Sequence, residues 1–192
     1  HKQRYKKSEQ STYSFAVYDM LFKGATFQSA QTYTASPFPY HFYKGPKSQH
    51  AKDVYAYKNL LYRNIYPSID LAWKYRNNAL KYDIILRPGH HLAQLNMQYK
   101  GAENISINQG SLVIKTKVGY VHENIPKAYY QDNPAESIPC SYGLEGKTVF
   151  FTFPEGYDAT RTVVIDPSIV FSSLTGSFAD NFGYTATYDA NG

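Results

Sequence analysis

The amino-acid sequence predicts an all-β fold, an antiparallel, sandwich-like domain built of hairpins. Three observations point there. Apolar residues recur with period two, and no stretch sustains the i, i+3, i+4 spacing of a long amphipathic helix. Aromatic residues make up 17% of the chain, with 20 Tyr and 11 Phe, types that pack well across a pleated surface. Pro, Gly and Asn punctuate the sequence at short intervals, as turns between short strands require. With 43% hydrophobic and 18% charged residues over 192 positions, the composition is that of a chain able to build a core rather than of a disordered segment.

The elements follow in order. A strand is expected over Tyr13–Phe22 and another over Tyr40–Tyr43. Ile69–Leu86 reads as a hairpin around Asn77-Asn78, because Asn tolerates the positive φ of a two-residue loop. That register pairs Tyr75 with Leu80, Trp73 with Tyr82, Leu71 with Ile84 and Ile69 with Leu86. One face is then wholly apolar, while the other carries Asp70, Ala72, Lys74, Arg76, Lys81 and Asp83, with Ile85 as the exception. A one-residue slip would mix the faces, so the register is well specified. Pro88-Gly89 closes the unit, and His90–Gln94 reads as a single helical turn before a strand near Gln94–Tyr99. A second hairpin turns at Gln109-Gly110, pairing Ile107 with Leu112 and Ile105 with Ile114. A third turns at Glu145-Gly146, pairing Tyr142 with Val149 and Cys140 with Phe151. Further strands are expected at Val118–Val121, Thr162–Ile165 and Ile169–Ser172, with Pro37, Pro39, Pro46, Pro67, Pro126, Pro134 and Pro167 as breaks.

Three segments result. Residues 1–12 form a basic, flexible N-terminal segment, residues 13–172 the all-β domain, and residues 173–192 the start of an incomplete repeat. In that tail a Gly183–Tyr188 strand runs into the turn residues Asp189-Ala190-Asn191-Gly192. Part of the net charge of +5 sits in Lys2, Arg4, Lys6 and Lys7. The remaining basic residues are dispersed, unlike the basic stripe of a nucleic-acid binder, so no nucleic-acid partner is expected. Cys140 is the single cysteine, which excludes an intrachain disulfide. No run of about 18 apolar residues exists to span a membrane as a helix. The chain opens at His1 without Met and reads as an internal or processed piece. Asn104-Ile105-Ser106 is a glycosylation sequon of low specificity.

No catalytic, cofactor or metal site is expected. The phosphate-loop, dinucleotide, nucleophile-elbow, zincin and paired-cysteine patterns are all missing. His90-His91 reads as an exposed loop pair, since neighbours in extended chain point to opposite sides. Cys140 reads as a buried, inert thiol. Asp70 and Asp83 could form a glycosidase acid/base pair, which needs carboxylates roughly 5–10 Å apart in a cleft, but Lys74 and Lys81 beside them make cross-strand charge pairing the better reading. Trp73 with Tyr82 could stack on a sugar, yet the face they share with Ile69, Leu71, Ile84 and Leu86 makes them core. Asp180, Asn181, Asp189 and Asn191 could ligate calcium, but they lack a regular ligand spacing and suit turns as well.

Six stretches taken together carry a resemblance. They are Tyr40–Gly45, Tyr57–Leu71, Leu80–Gly89, Tyr99–Ala102, Gly110–Ile114 and Val163–Ser172, the last reading Val-Val-Ile-Asp-Pro-Ser-Ile-Val-Phe-Ser. In order and spacing they resemble the uncharacterised all-β domain that precedes β-propeller-type repeats in large secreted proteins of the Bacteroidota. The chain departs from that pattern in lacking an Asn/Lys-Gly-Gln-Trp opening segment and further strands before Tyr13. The resemblance implies export by the type IX route, a location outside the cell or on its outer surface, and the company of gliding-motility-associated proteins. It supplies no catalytic residues. The expected function is a non-catalytic structural or adhesion-type module that positions downstream β-repeat domains. The partners implied are other domains of the same parent protein, secretion machinery, surface proteins or glycans. The alternative is a carbohydrate-binding module using surface tyrosines, which an exposed row of Tyr rings would favour and burial of the tyrosines would not.

Overall fold

The computed structural model describes residues 14–76 and 79–172. Among them the chain is almost entirely extended. Its strands are, in order, β1 (Asp19–Phe22), β2 (Gln31–Ala35), β3 (Tyr40–Phe42), β4 (Ala51–Val54), β5 (Tyr57–Tyr66), β6 (Ile69–Arg76), β7 (Ala79–Leu86), β8 (Met97–Lys100) and β9 (Asn104–Asn108). They continue with β10 (Ser111–Thr116), β11 (Gly119–Glu123), β12 (Lys127–Tyr130), β13 (Asn133–Ile138), β14 (Ser141–Glu145), β15 (Thr148–Thr152), β16 (Val163–Asp166) and β17 (Ile169–Ser172). Two 3-10 turns, Lys47–Gln49 and Leu92–Gln94, interrupt them.

Every pairing is antiparallel. The largest sheet has the order β13-β12-β16-β7-β6-β5-β2, two four-stranded sheets have the orders β1-β8-β15-β14 and β17-β11-β10-β9, and β3 pairs with β4 alone. The three larger sheets contribute side chains to one continuous apolar core, such as Ile84 and Ile165, Met97 and Val149, and Leu112 and Ile114, all fully buried. The fold is therefore an all-β, sandwich-like domain, and no closed barrel forms among the described residues.

Alternation fixes the central hairpin as expected. Ile69 faces Leu86, Leu71 faces Ile84, Trp73 faces Tyr82 and Tyr75 faces Leu80; the turn at Asn77-Asn78 lies outside the described residues. Ile69, Leu71, Tyr82, Ile84 and Leu86 are buried, whereas Tyr75 and Leu80 at the far end run past the core and are exposed. The Gln109-Gly110 hairpin also has the expected register. Both loop residues have positive φ, 48° and 79°, the geometry of a type I′ turn. The third hairpin differs. Its loop is Gly146-Lys147, which pairs Tyr142 with Phe151 and Leu144 with Val149, and Cys140 precedes the strand. Gly146 alone has positive φ, 59°, and so takes the first loop position, as a type II′ turn demands. The shift moves each partner by two residues and leaves the faces unchanged.

Several strands escape a period-two reading. β5 has no clean alternation because its pairing with β6 shifts between Tyr62 and Tyr66. Asn64 adopts a left-handed φ of 51° inside that bulge, and the Asp70 carboxylate accepts its N–H at 2.7 Å. β13 contains Pro134, which reads as a break, yet β13 is the sheet edge, where a missing N–H costs no ladder bond. The N-terminal strand is shorter than Tyr13–Phe22, since only Asp19–Phe22 pairs with β8. β2 and β4 carry too few apolar residues to announce themselves, and β12, Lys-Ala-Tyr-Tyr, is too short to show a period. The basic cluster at residues 1–12 and the repeat-like tail at 173–192 lie outside the described residues. Among those described, no helix is long and apolar enough to cross a membrane.

Candidate functional site

A charged side chain lies inside the apolar core. Glu123, at the end of β11, is 1% exposed. Three phenols donate hydrogen bonds to its carboxylate: Tyr82 from β7 at 2.9 Å, Tyr99 from β8 at 3.1 Å and Tyr142 from β14 at 3.2 Å. Burial raises the Glu123 pKa, and the three phenols oppose that rise. Burial, followed by the Glu123 charge, pushes Tyr82, Tyr99 and Tyr142 above the ordinary phenol value. One carboxylate thus ties three sheets together. Glu123 also lines a cleft of about 470 Å³ with Tyr18, Asp19, Met20, Leu21, Trp73 and Leu80. Because each Glu123 oxygen already accepts from a phenol, the arrangement favours a structural knot over an acid/base pair.

The second feature is the chain between β1 and the buried end of β5. From Lys23 to Asn64 no residue is buried. This arm nonetheless presents eight exposed aromatic side chains: Phe27, Tyr33, Phe38, Tyr40, Phe42, Tyr43, Tyr55 and Tyr57. Ser36 clamps its base. The Ser36 N–H donates to Ala56 O at 2.7 Å, the Ser36 hydroxyl donates to Phe38 O at 2.7 Å, and the Ala56 N–H donates back to that hydroxyl at 3.3 Å. Beyond the clamp β3 and β4 form a free two-stranded ladder whose register shifts between Tyr40 and Phe42. Asp53 sits opposite that shift with a φ of 56° and donates its N–H to His41 Nδ1 at 3.1 Å. The rings do not form a flat row: His41 and Tyr43 are tilted by 32°, and Tyr43 meets His50 edge-on at 5.3 Å.

A protein-family model described as a domain of unknown function (DUF7948) matches residues 1–168. The chain belongs to this family. No curated protein and no solved structure matches it.

The residues singled out by sequence fall into separate places in this family member. Cys140 is buried, and burial pushes its thiol up to about 12, which agrees with an inert role. His90 is not an exposed loop residue. It is partly buried, with Nδ1 2.7 Å from Arg87 O and Nε2 2.6 Å from the Tyr157 hydroxyl, so it anchors the 154–158 loop; His91 is exposed. Tyr82 is core and Trp73 is packed against it, with ring centres 5.5 Å apart. Asp70 and Asp83 carry cross-strand charge pairing, but with a correction: both are buried, although they lie on the outward face. Lys74 pairs with Asp83, whereas Asp70 is held by Arg87 at 3.1 Å and Arg63 at 3.5 Å rather than by lysine. Long cationic side chains lie over the short acids and seal them. Asp166 joins the same face; burial, and then the Asp83 charge, raise its pKa. Asp180, Asn181, Asp189 and Asn191 lie outside the described residues.

Sequence reasoning missed Glu123, Tyr99 and Tyr142 as a group. Spacing gives no signal across positions 82, 99, 123 and 142, which meet only through sheet packing. The one clue is local: extending the Val118–Val121 alternation by two residues puts Glu123 on the inward face beside Val121.

Proposed function

We propose that the domain is a non-catalytic structural or adhesion-type module of a larger exported protein, and that its contact surface is the aromatic arm between Lys23 and Asn64. One observation supports this reading: the arm is ordered by ladder hydrogen bonds yet adds no buried side chain to the core. Ordering a segment costs about 1–2 kcal/mol per residue in backbone entropy, and exposed apolar clusters of this kind mark contact surfaces. A neighbouring domain of the parent protein would cover Phe38, Tyr40 and Phe42. The resemblance to domains that precede β-propeller-type repeats in secreted Bacteroidota proteins suggests a secreted or outer-surface location and repeat domains as those neighbours.

Chemical footprinting of the tyrosines tests the reading. Tyr40, Tyr43, Tyr55 and Tyr57 should label readily in the 192-residue chain and be protected when the chain is part of its longer parent protein. Equal labelling in both would refute docking through the arm. A second reading, carbohydrate binding by surface tyrosines, draws on the same exposed rings. It requires reproducible binding of the isolated chain to one glycan class on a glycan array.

A further inference from the structure

The arm combines its rings with positive charge. Between Ser36 and Lys58 it carries Lys44, Lys47, Lys52 and Lys58 against one acid, Asp53, for a net charge of +3, while the whole chain carries +5. One of these charges lies beside Tyr43, which is 60% exposed. Lys52 Nζ lies 5.8 Å from the centre of its ring, the His50 ring lies 5.3 Å away and the His41 ring 6.2 Å away. His41 Nδ1 accepts the Asp53 N–H, so its remaining ring nitrogen carries a proton. His50 Nε2 donates to Gly45 O at 3.2 Å. An exposed phenol therefore stands among an ammonium and two imidazoles.

We propose that the arm binds an anionic polysaccharide bearing uronate carboxylates, with Tyr43 as the platform for a sugar ring and Lys52 and Lys44 as partners of its carboxylates. The proposal rests on the carbohydrate reading above and deepens it by assigning the ligand's charge. Charge complementarity requires a negative partner. The ratio of rings to charge selects among negative polymers: in the Ser36–Lys58 stretch six exposed rings stand beside a net charge of +3. That sparse charge matches a sugar polymer with a carboxylate on some of its residues. A single-stranded nucleic acid carries a charge at every nucleotide and draws on a denser basic groove. An open two-stranded ladder rather than an enclosed pocket also suits a polymer over a small molecule.

The test uses the full 192-residue chain and titration calorimetry against hyaluronate, in which a uronate alternates with a neutral sugar, neutral dextran, a thymidine oligonucleotide and vesicles containing phosphatidylglycerol. Hyaluronate should bind, and more weakly as salt is raised. Tyr43→Ala should weaken it about tenfold, the size of one stacked aromatic contact. Lys52→Gln should weaken it several-fold at low salt only, and Tyr120→Ala, at an exposed tyrosine outside the arm, should leave it unchanged. Since no arm residue is buried, these variants should keep the parent's urea midpoint, which separates lost binding from unfolding. Dextran bound as tightly as hyaluronate would overturn the charge assignment and leave the carbohydrate reading standing. Binding to neither glycan would overturn both. Tighter binding to the oligonucleotide or the vesicles, or full affinity in Tyr43→Ala, would overturn the proposal.

Discussion

Glu123→Ala is the most informative single change in this domain. The carboxylate accepts from three phenols at 2.9, 3.1 and 3.2 Å, and all three tyrosines are buried. Truncation leaves three buried O–H donors without an acceptor. Each stranded donor costs about 1–3 kcal/mol. Re-pairing among the phenols, or water entering the space, recovers part of that, so the expected loss is about 3–5 kcal/mol. That is a large share of the roughly 5–15 kcal/mol that stabilises a typical domain. Glu123→Gln keeps the shape and one acceptor and should cost only about 1 kcal/mol. Equilibrium urea unfolding with a shared slope measures both variants. If Glu123→Ala came within about 1 kcal/mol of the parent chain, the hydroxyls would have found other partners at no cost, and the knot would not be what joins the three sheets.

Three further outcomes follow from the same geometry. Burial raises the folded-state pKa of Glu123 above its ordinary value of 4.5, so between that value and the raised one the folded chain holds more proton than the unfolded chain. Stability contributed by this group is therefore complete below pH 4.5 and falls as pH rises through the window; Glu123→Gln should gain on the parent over that range, and parallel urea-midpoint profiles would exclude the effect. Asp70→Ala should cost about 2–4 kcal/mol, because it strands the Asn64 N–H in the β5 bulge and removes the acceptor shared by Arg63 and Arg87; an unchanged urea midpoint would mean the bulge holds without it. With its thiol pushed up to about 12, Cys140 should react with a disulfide reagent at pH 8 only as fast as the chain opens, so that the labelling rate rises with urea; rapid labelling of the native chain would contradict its burial.

The sequence by itself determined the fold class and the pairing inside two hairpins. Ile69–Leu86 shows why: a period of two leaves one register that puts Ile69, Leu71, Trp73, Tyr82, Ile84 and Leu86 on a common face. Turn chemistry acts at short range too, though Gly146 shows its limit, because Glu145-Gly146 and Gly146-Lys147 place the same residues inward and only the backbone dihedral at Gly146 distinguishes them. Tyr82 was legible as core for the same reason, and Cys140 because it stands two residues before the inward-facing Tyr142. The tertiary structure decided what depends on contact between sheets. Tyr99 and Tyr142 look like any other inward tyrosines until packing carries their hydroxyls onto Glu123. Asp70 and Asp83 look like solvent-facing acids until arginine and lysine side chains from neighbouring strands cover them. The arm's rings look like core residues of the same kind as Tyr82, and only the assembled sheets leave them outside. Strand periodicity records which side of its own strand a residue occupies, whereas burial and hydrogen-bond partners depend on what stands opposite that side, which no local pattern contains.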